Sequence, residues 1–169
     1  YLPDTYQSND SKRIISKKKF SRKDFNLPDD KFIFCCFNKK YKIDPNMFEI
    51  WMNILKKVNN SVLWLLDDEN ESTTNLLFET ELKNVDPKRI IFSKKIPTHE
   101  HLARHSLADL FLDTFPYGAH TTASDALWSG LPVLTKKGNS FASRVASSLL
   151  KAISMDELIT SNDQEYQDL

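Results

Sequence analysis

The sequence predicts an α/β fold built on a doubly wound parallel sheet. Short apolar runs alternate along the chain with segments of helical spacing, which is the pattern of repeated strand–helix units. The run at residues 32–37 is apolar at every position, as expected of a strand covered on both faces. The length of 169 residues suffices for one domain with a substantial core.

The first strand–helix unit follows a polar segment. Residues 1–28 include a basic cluster and show no sustained period, so we predict a connecting segment there. The domain is predicted to occupy residues 29–169, with its first strand at residues 32–37. Asp44 then suits the N-cap of a helix and Pro45 its first position. The apolar residues of this helix recur at helical spacing: Phe48, Trp51, Met52 and Leu55.

Four more strands and their helices are predicted in the same way. The strands are predicted at residues 61–66, 89–92, 109–113 and 133–135. The helices are predicted at residues 74–83, 99–105, 121–129, 141–150 and 163–169. Ligands of such sheets bind beyond the carboxyl ends of the strands. We therefore expect the functional residues in the loops after strands one, three, four and five.

Composition excludes several function classes. The 23 Lys and Arg residues balance 23 Asp and Glu residues, so no general positive field favours nucleic acid or an acidic membrane as a partner. The apolar runs are far shorter than the ~20 residues of a membrane helix. Cys35 and Cys36 are adjacent in an apolar run, which favours burial over a disulfide. Without an initial Met or a signal peptide, the chain is expected to be a piece of a cytoplasmic protein.

The chain lacks a glycine-rich phosphate loop, because Gly118, Gly130 and Gly138 are its only glycines and form neither a G-x-G-x-x-G motif nor a P-loop. A bound phosphate then requires a helix N-terminus and side chains. The best such place follows strand four, where three polar residues open a helix: His120, Thr121 and Thr122. Asp125, one turn further on, suits sugar hydroxyls. The alternative is that a threonine only caps the helix.

The loop after strand one is basic, with Lys39, Lys40 and Lys42. A lysine at the end of a central strand is well placed to neutralise a diphosphate leaving group. Lys42 is the strongest of the three candidates because it directly precedes the predicted helix start. The alternative is a solvated basic loop.

The segment before the fourth strand contains histidines that have two interpretations. The pattern H-E-x-x-H of zinc proteases is excluded because Ala103 stands at its last position. His101 and His105 are four residues apart, which allows a shared metal, but no third ligand is evident. We favour a second interpretation, in which His101 stacks on a base and Arg104 contacts phosphates.

Two further groups have an ordinary structural explanation. The acidic run at residues 67–69 resembles a metal-binding D-x-D motif, but we favour a solvated loop and expect no metal and no cofactor. Large aromatic residues on apolar faces are expected in the core: Trp51, Trp64, Phe111 and Trp128.

Several longer strings resemble the O-linked N-acetylglucosamine transferase / SPINDLY family. They are residues 37–45 (FNKKYKIDP), 61–66 (SVLWLL), 107–113, 120–128 (HTTASDALW) and 141–146 (FASRVA). The resemblance covers roughly the whole chain in order. It implies a GT-B glycosyltransferase, of which this chain is the Rossmann-like C-terminal, donor-nucleotide lobe. Members of this family move a sugar onto Ser/Thr hydroxyls of an acceptor protein, with inversion and without metal.

The resemblance also implies roles for individual residues. Lys42 would be the catalytic residue that neutralises the leaving diphosphate. The phosphates would be bound by His120, Thr121 and Thr122, and the ribose by Asp125. The nucleoside and its phosphate side would be contacted by His101 and Arg104, and the base edge by the backbone around Ile96, Pro97 and Thr98.

Two positions depart from the animal enzymes, since Lys39 stands where they have Gln and Thr98 where they have Lys. Both are expected to touch the donor, so sugar and base stay open: N-acetylglucosamine from UDP-GlcNAc is favoured, and fucose from GDP-fucose is the alternative. The N-terminal catalytic lobe and the tetratricopeptide repeats of the family are absent from the sequence. We expect this lobe to bind UDP weakly and to transfer nothing alone. A non-catalytic nucleotide-binding or interaction module is the competing hypothesis.

Overall fold

The computed structural model describes residues 5–67 and 72–169 and has a sheet flanked by helices. The strands are β1 (Phe32–Cys36), β2 (Ser61–Leu66), β3 (Ile90–Ser93), β4 (Leu110–Leu112), β5 (Val133–Lys136) and β6 (Ile159–Thr160). The helices are α1 (Pro45–Lys57), α2 (Ser72–Leu82), α3 (Thr98–Arg104), α4 (Thr121–Trp128), α5 (Val145–Ala152) and α6 (Asp163–Asp168). Each predicted strand and helix overlaps one of these elements.

The six strands pair in parallel in the order β3-β2-β1-β4-β5-β6. The order reverses its direction between β1 and β4, where Phe34 lies opposite Leu110 and Cys35 opposite Phe111. This is the order of a Rossmann-like sheet, and its reversal marks the crevice where ligands bind. The predicted doubly wound fold is therefore confirmed. The prediction missed β6, whose two residues are too few to show a period.

The core lies on both faces of the sheet, as the apolar runs predict. Trp51, Trp64 and Phe111 are fully buried, which confirms their assignment to the core. Trp128 is 40% exposed, so its assignment was wrong. Trp128 lies two turns after Thr121 on the same side of α4, and Thr121 is exposed as well.

Two expectations from composition concern the cysteines and the membrane. Cys35 and Cys36 are both free and fully buried in β1, as predicted. None of the helices in the described parts of the chain is long and apolar enough to cross a bilayer.

The start of α1 follows the predicted cap. The Asp44 carboxylate accepts a hydrogen bond of 2.7 Å from the backbone N–H of Met47, and Pro45 takes the first turn. This satisfies one of the N–H groups that a helix leaves unpaired at its beginning. The cap also fixes the end of the loop that carries Lys42.

Replacing Asp44 by alanine is expected to lower the free energy of unfolding by about 1 kcal/mol, the usual cost of losing such a cap. Urea unfolding of the two proteins measures this difference. Asp44→Asn is the matched control, because asparagine keeps an acceptor at the same place. A loss of equal size in both variants would contradict a capping role.

The first part of the chain packs against the domain. Within residues 5–28 the only regular element is a short 3₁₀ helix at Arg22–Phe25. The backbone N–H of Ser16 donates to the His99 carbonyl at 3.0 Å, and the Arg22 guanidinium pairs with Asp109 at 3.1 Å. The segment is thus held at the start of α3, beyond the carboxyl end of β3, and at Asp109, which directly precedes β4.

Candidate active site

The loops after β1 and β4 meet at the crevice between these two strands. Asn38, which follows β1, is only 2% exposed. Its amide nitrogen donates to the hydroxyl of Thr114 at 2.8 Å, and its amide oxygen accepts from the hydroxyl of Thr122. Asn38 thereby joins both loops to the first turn of α4. Sequence reasoning assigned no role to this residue, although a polar side chain directly after a buried strand was the available signal.

Lys42 lies in this crevice, against the loop after β4. Its Nζ donates to the carbonyl of Gly118 at 2.9 Å and lies 3.9 Å from the ring centroid of Tyr117. Burial lowers the pKa of Lys42, and the nearby charge of Asp113 acts in the opposite direction. The structure therefore places the Lys42 ammonium in contact with Gly118, which precedes His120 by two residues in the sequence.

The N-terminus of α4 opens into the same crevice. α4 begins at Thr121, and His120 is the N-cap without a side-chain capping bond. Thr122 directs its hydroxyl to Asn38, so neither threonine occupies the capping position that the alternative interpretation required. The N–H groups of a first helical turn point away from the helix and carry partial positive charge. Together with Lys42 they form an arrangement suited to an anion.

The imidazole of His120 sits in an aromatic setting. Its Nδ1 lies 2.9 Å from the hydroxyl of Tyr6, and the rings of Tyr6, Tyr117 and Phe141 stand edge-on around it at 5.5–6.0 Å between centroids. Burial is the main cause that lowers the pKa of His120, and the charge of Lys42 adds to it. Both effects favour the neutral form of the imidazole, while the backbone of Ala142 opposes them.

Asp125 stands one turn into α4, where the sequence placed it, but with a partner that the sequence did not indicate. Its carboxylate pairs with the guanidinium of Arg13, and the adjacent Ser124 hydroxyl contacts the amide oxygen of Asn9 at 2.5 Å. Burial raises the pKa of Asp125, and Arg13 opposes this shift. A sugar hydroxyl that bound Asp125 would thus share the carboxylate with Arg13.

His101 lies in α3, half-buried, with its ring edge-on to Phe37 at 5.1 Å and to His105 at 4.7 Å. Burial, followed by the charges of His105 and Arg104, lowers the pKa of His101 to about 3. His105 shows the same behaviour, since burial lowers its pKa to about 4. Both rings are therefore neutral at pH 7, which suits stacking on a base. The stacking itself stays a prediction.

Arg104 does not face the crevice. It is fully buried, with its guanidinium 4.5 Å from the ring centroid of Phe37 and 2.9 Å from the Lys94 carbonyl, to which it donates. A planar guanidinium stacks well on aromatic faces, and the apolar interior provides Phe37 and Trp64 for this. The guanidinium keeps Nε and Nη2 without a hydrogen-bond partner among the described residues, and the predicted phosphate contact of Arg104 stays a prediction.

The other predicted donor contacts lie at the rim. Lys39 is exposed and lines a surface cavity of about 550 Å³ between the β1 loop and α2. Lys40 is 8% exposed and bonds the hydroxyl of Thr73. The residues expected at the base edge, 96–98, form the approach to α3, where the Pro97 carbonyl accepts from the N–H of His101 at 2.8 Å. Their contacts with a donor stay predictions.

The acidic run is only partly described. Asp67 lies 3.9 Å from the Lys40 ammonium, while Asp68 and Glu69 lie outside the described residues. Within residues 5–67 and 72–169, no three His, Cys, Asp or Glu side chains are grouped closely enough to hold a metal ion.

An open parallel sheet in this order, with a lysine and a helix start meeting at its reversal point, defines a Rossmann-like lobe of the GT-B glycosyltransferase class. Sequence comparison supplies the family, because the profile of glycosyl transferase family 41 matches residues 7–169. The chain belongs to this family. The resemblance noted from the sequence is thereby confirmed.

Relatives and solved structures agree with this assignment. The chain is 42% identical over 146 residues to the UDP-N-acetylglucosamine–peptide N-acetylglucosaminyltransferase of Caenorhabditis elegans, which covers 86% of this chain and 13% of the relative. It is 39% identical over 174 residues to an Arabidopsis thaliana protein named "Probable UDP-N-acetylglucosamine–peptide N-acetylglucosaminyltransferase SEC", covering 99% of this chain and 18% of the relative.

A mutant of Thermobaculum terrenum O-GlcNAc transferase superposes with a TM-score of 0.77 and 32% identity, over 82% of this chain and 27% of that one. The chain thus spans less than a fifth of the length of the two sequence relatives.

Proposed function

We propose that this chain is the C-terminal, donor-nucleotide lobe of a cytoplasmic, inverting glycosyltransferase that moves N-acetylglucosamine from UDP-GlcNAc onto Ser/Thr hydroxyls of proteins. The names of the relatives support the sugar nucleotide and the peptide acceptor. The observation that carries the proposal is the position of the Lys42 ammonium, 2.9 Å from the Gly118 carbonyl and close to the start of α4. A cation and a helix N-terminus at one crevice are the groups that a diphosphate requires.

In the proposed reaction the acceptor oxygen attacks the anomeric carbon of the sugar, and the bond from that carbon to the β-phosphate oxygen breaks. Negative charge develops on the departing diphosphate. Lys42 and the N–H groups at Thr121 and Thr122 lie where they can stabilise this charge, in exchange for the neutral Gly118 carbonyl that Lys42 contacts now. Because a lysine supplies the positive charge, we expect no metal. The acceptor's proton passes to a base of the other lobe.

The remainder of the enzyme is part of the proposal. The low coverage of the relatives leaves room for an N-terminal catalytic lobe and for tetratricopeptide repeats that present acceptor proteins. His101 is proposed to stack on the base and Asp125 to bind the ribose. The backbone at residues 96–98 is proposed to pair with the base edge.

Calorimetric titration of the chain with UDP, GDP and their sugar nucleotides tests the proposal. We expect UDP to bind at least about ten-fold more tightly than GDP, a difference of ~1.4 kcal/mol, because the base-edge contacts distinguish a pyrimidine from a purine. Where the titration is repeated on a variant that lacks the Lys42 ammonium, Lys88→Ala is the control. Lys88 is exposed beside the N-terminal end of β3, at the opposite edge of the sheet. Equal affinity for UDP and GDP, or no binding of either, would contradict the proposed donor.

A further inference from the structure

A buried carboxylate stands at the end of β4, where the sequence suggested no role. Asp113 is 2% exposed. Its Oδ1 accepts hydrogen bonds from the backbone N–H groups of Thr114 at 2.7 Å and Ala119 at 2.6 Å, and its Oδ2 accepts from the Thr135 hydroxyl at 2.7 Å. One side chain thus closes the loop of residues 114–119 by binding its first and last N–H groups.

This loop carries the group that holds Lys42. The carbonyl of Gly118 accepts the hydrogen bond from the Lys42 ammonium, and His120 follows directly as the N-cap of α4. A Cβ added at Gly118 would lie 3.1 Å from Asp113 Oδ2 and 3.1 Å from the Ala142 carbonyl. The loop is therefore seated directly on the carboxylate, and only a glycine fits there without displacement.

Among the described residues, the titratable groups that face Asp113 are Lys42, Cys36 and Tyr166. Burial raises the pKa of Asp113 to about 6, while its three hydrogen bonds and Lys42 oppose the shift, so the carboxylate is ionised at pH 7. Cys36 in β1 and Tyr166 in α6 also face it, and burial raises the pKa of both well above their usual values. They stay neutral, and Lys42 supplies the facing positive charge. Hydrogen bonds to an ionised acceptor are the stronger ones.

We propose that Asp113 is a positioning residue of the nucleotide site, whose carboxylate holds the loop of residues 114–119 so that Gly118 presents Lys42 to the diphosphate. The inference rests on the proposed function for its ligand. If the carboxylate acted only through its charge, its removal would change UDP affinity in the opposite direction, because an anion beside the site repels a diphosphate. Removal of the charge alone would then tighten binding.

Two substitutions at this position separate these possibilities. Asp113→Asn keeps an oxygen for the Thr114 and Ala119 N–H groups, so we expect its UDP affinity to stay within about three-fold of the wild type. Asp113→Ala leaves the buried N–H groups of Thr114 and Ala119 without an acceptor. Unpaired buried donors destabilise the structure around them, so we expect the loop to be released and UDP affinity to fall by roughly ten-fold or more. Calorimetric titration with UDP at pH 7.5 measures both. Tighter binding by both variants, or equal affinity of both with the wild type, overturns the proposal.

A measurement without nucleotide keeps the inference separate from the proposed function. Hydrogen exchange of the Ala119 amide should be slow in the wild type and in Asp113→Asn, and at least ten-fold faster in Asp113→Ala. If the wild type binds no UDP while this exchange pattern holds, the proposed function fails and the loop-holding role stands. Unchanged exchange in Asp113→Ala refutes that role.

Two further variants control for folding. Asp109→Ala removes a carboxylate from the other end of the β4 region, where it accepts from the Ile33 N–H at 2.7 Å and pairs with Arg22. We expect this variant to lose stability but to keep its UDP affinity. Gly118→Ala leaves every hydrogen-bonding group in place and displaces the loop from the carboxylate, so it should weaken UDP binding even if Asp113→Ala fails to fold. Wild-type affinity in Gly118→Ala would contradict the proposal.

Discussion

Replacing Lys42 by alanine is expected to reduce sugar transfer by the full-length enzyme roughly 10²–10³-fold, or about 2.7–4 kcal/mol, the usual effect of removing one group that stabilises developing negative charge. The ammonium now donates to a neutral carbonyl, Gly118. A departing diphosphate offers a charged acceptor in its place, so the interaction strengthens as the bond breaks. We therefore expect a larger effect on kcat than on KM, and steady-state kinetics with labelled sugar nucleotide distinguishes the two.

Lys88→Ala is the matched control for this experiment and should transfer sugar at the wild-type rate. Lys42→Arg keeps the charge but changes its shape, and we expect an intermediate rate because a guanidinium does not reproduce a compact ammonium. Unchanged transfer by Lys42→Ala would remove Lys42 from the reaction, and with it the observation on which the proposed function depends.

Replacing Trp64 by alanine is expected to lower the free energy of unfolding by about 3–5 kcal/mol, as large-to-small changes of buried aromatic residues do. Trp64 is fully buried in β2 and packs against Phe25 and Phe37, with ring centroids at 5.3 and 4.9 Å. Its indole N–H donates to the Ser93 hydroxyl at 2.6 Å. The variant thus loses the packing of a large ring and leaves Ser93 without this partner.

Trp128→Ala provides the comparison, since the same side chain is removed from a position that is 40% exposed. We expect a change below about 1 kcal/mol there, in the range of ordinary surface substitutions. Urea unfolding followed by circular dichroism measures both variants. Equal losses at the two positions would mean that the difference in burial does not decide their contributions.

The fold was predictable because its signals are local. A continuous apolar run marks a strand buried on both faces, and Asp44 followed by Pro45 marks a helix start, so β1 and α1 were located from a few neighbouring residues. β6 gave no such signal, since two residues cannot show a period.

The candidate site was predictable in part, for the same reason. Lys42 and the start of α4 follow strands, and strand order brings strand ends together. The pairing of Arg13 with Asp125 joins residues 112 positions apart in the sequence, and no local pattern encodes it. The burial of Arg104 was not predicted because the sequence analysis assigned its side chain to phosphates, whereas the aromatic rings that receive it come from other elements.

The pairing of Arg13 with Asp125 also couples the docking of residues 5–16 to the ligand binding that we propose at Asp125. Arg13 contacts Oδ1 of this carboxylate, and a carboxylate offers about four acceptor positions over its two oxygens. One acid can therefore serve a ligand hydroxyl and hold residues 5–16 at the same time. Thermodynamic linkage is reciprocal. If a ligand at Asp125 changes the equilibrium constant for docking of this segment, docking changes the affinity for the ligand by the same factor. Undocking of residues 5–16 is therefore expected to change the affinity of the ribose contact that we propose at Asp125.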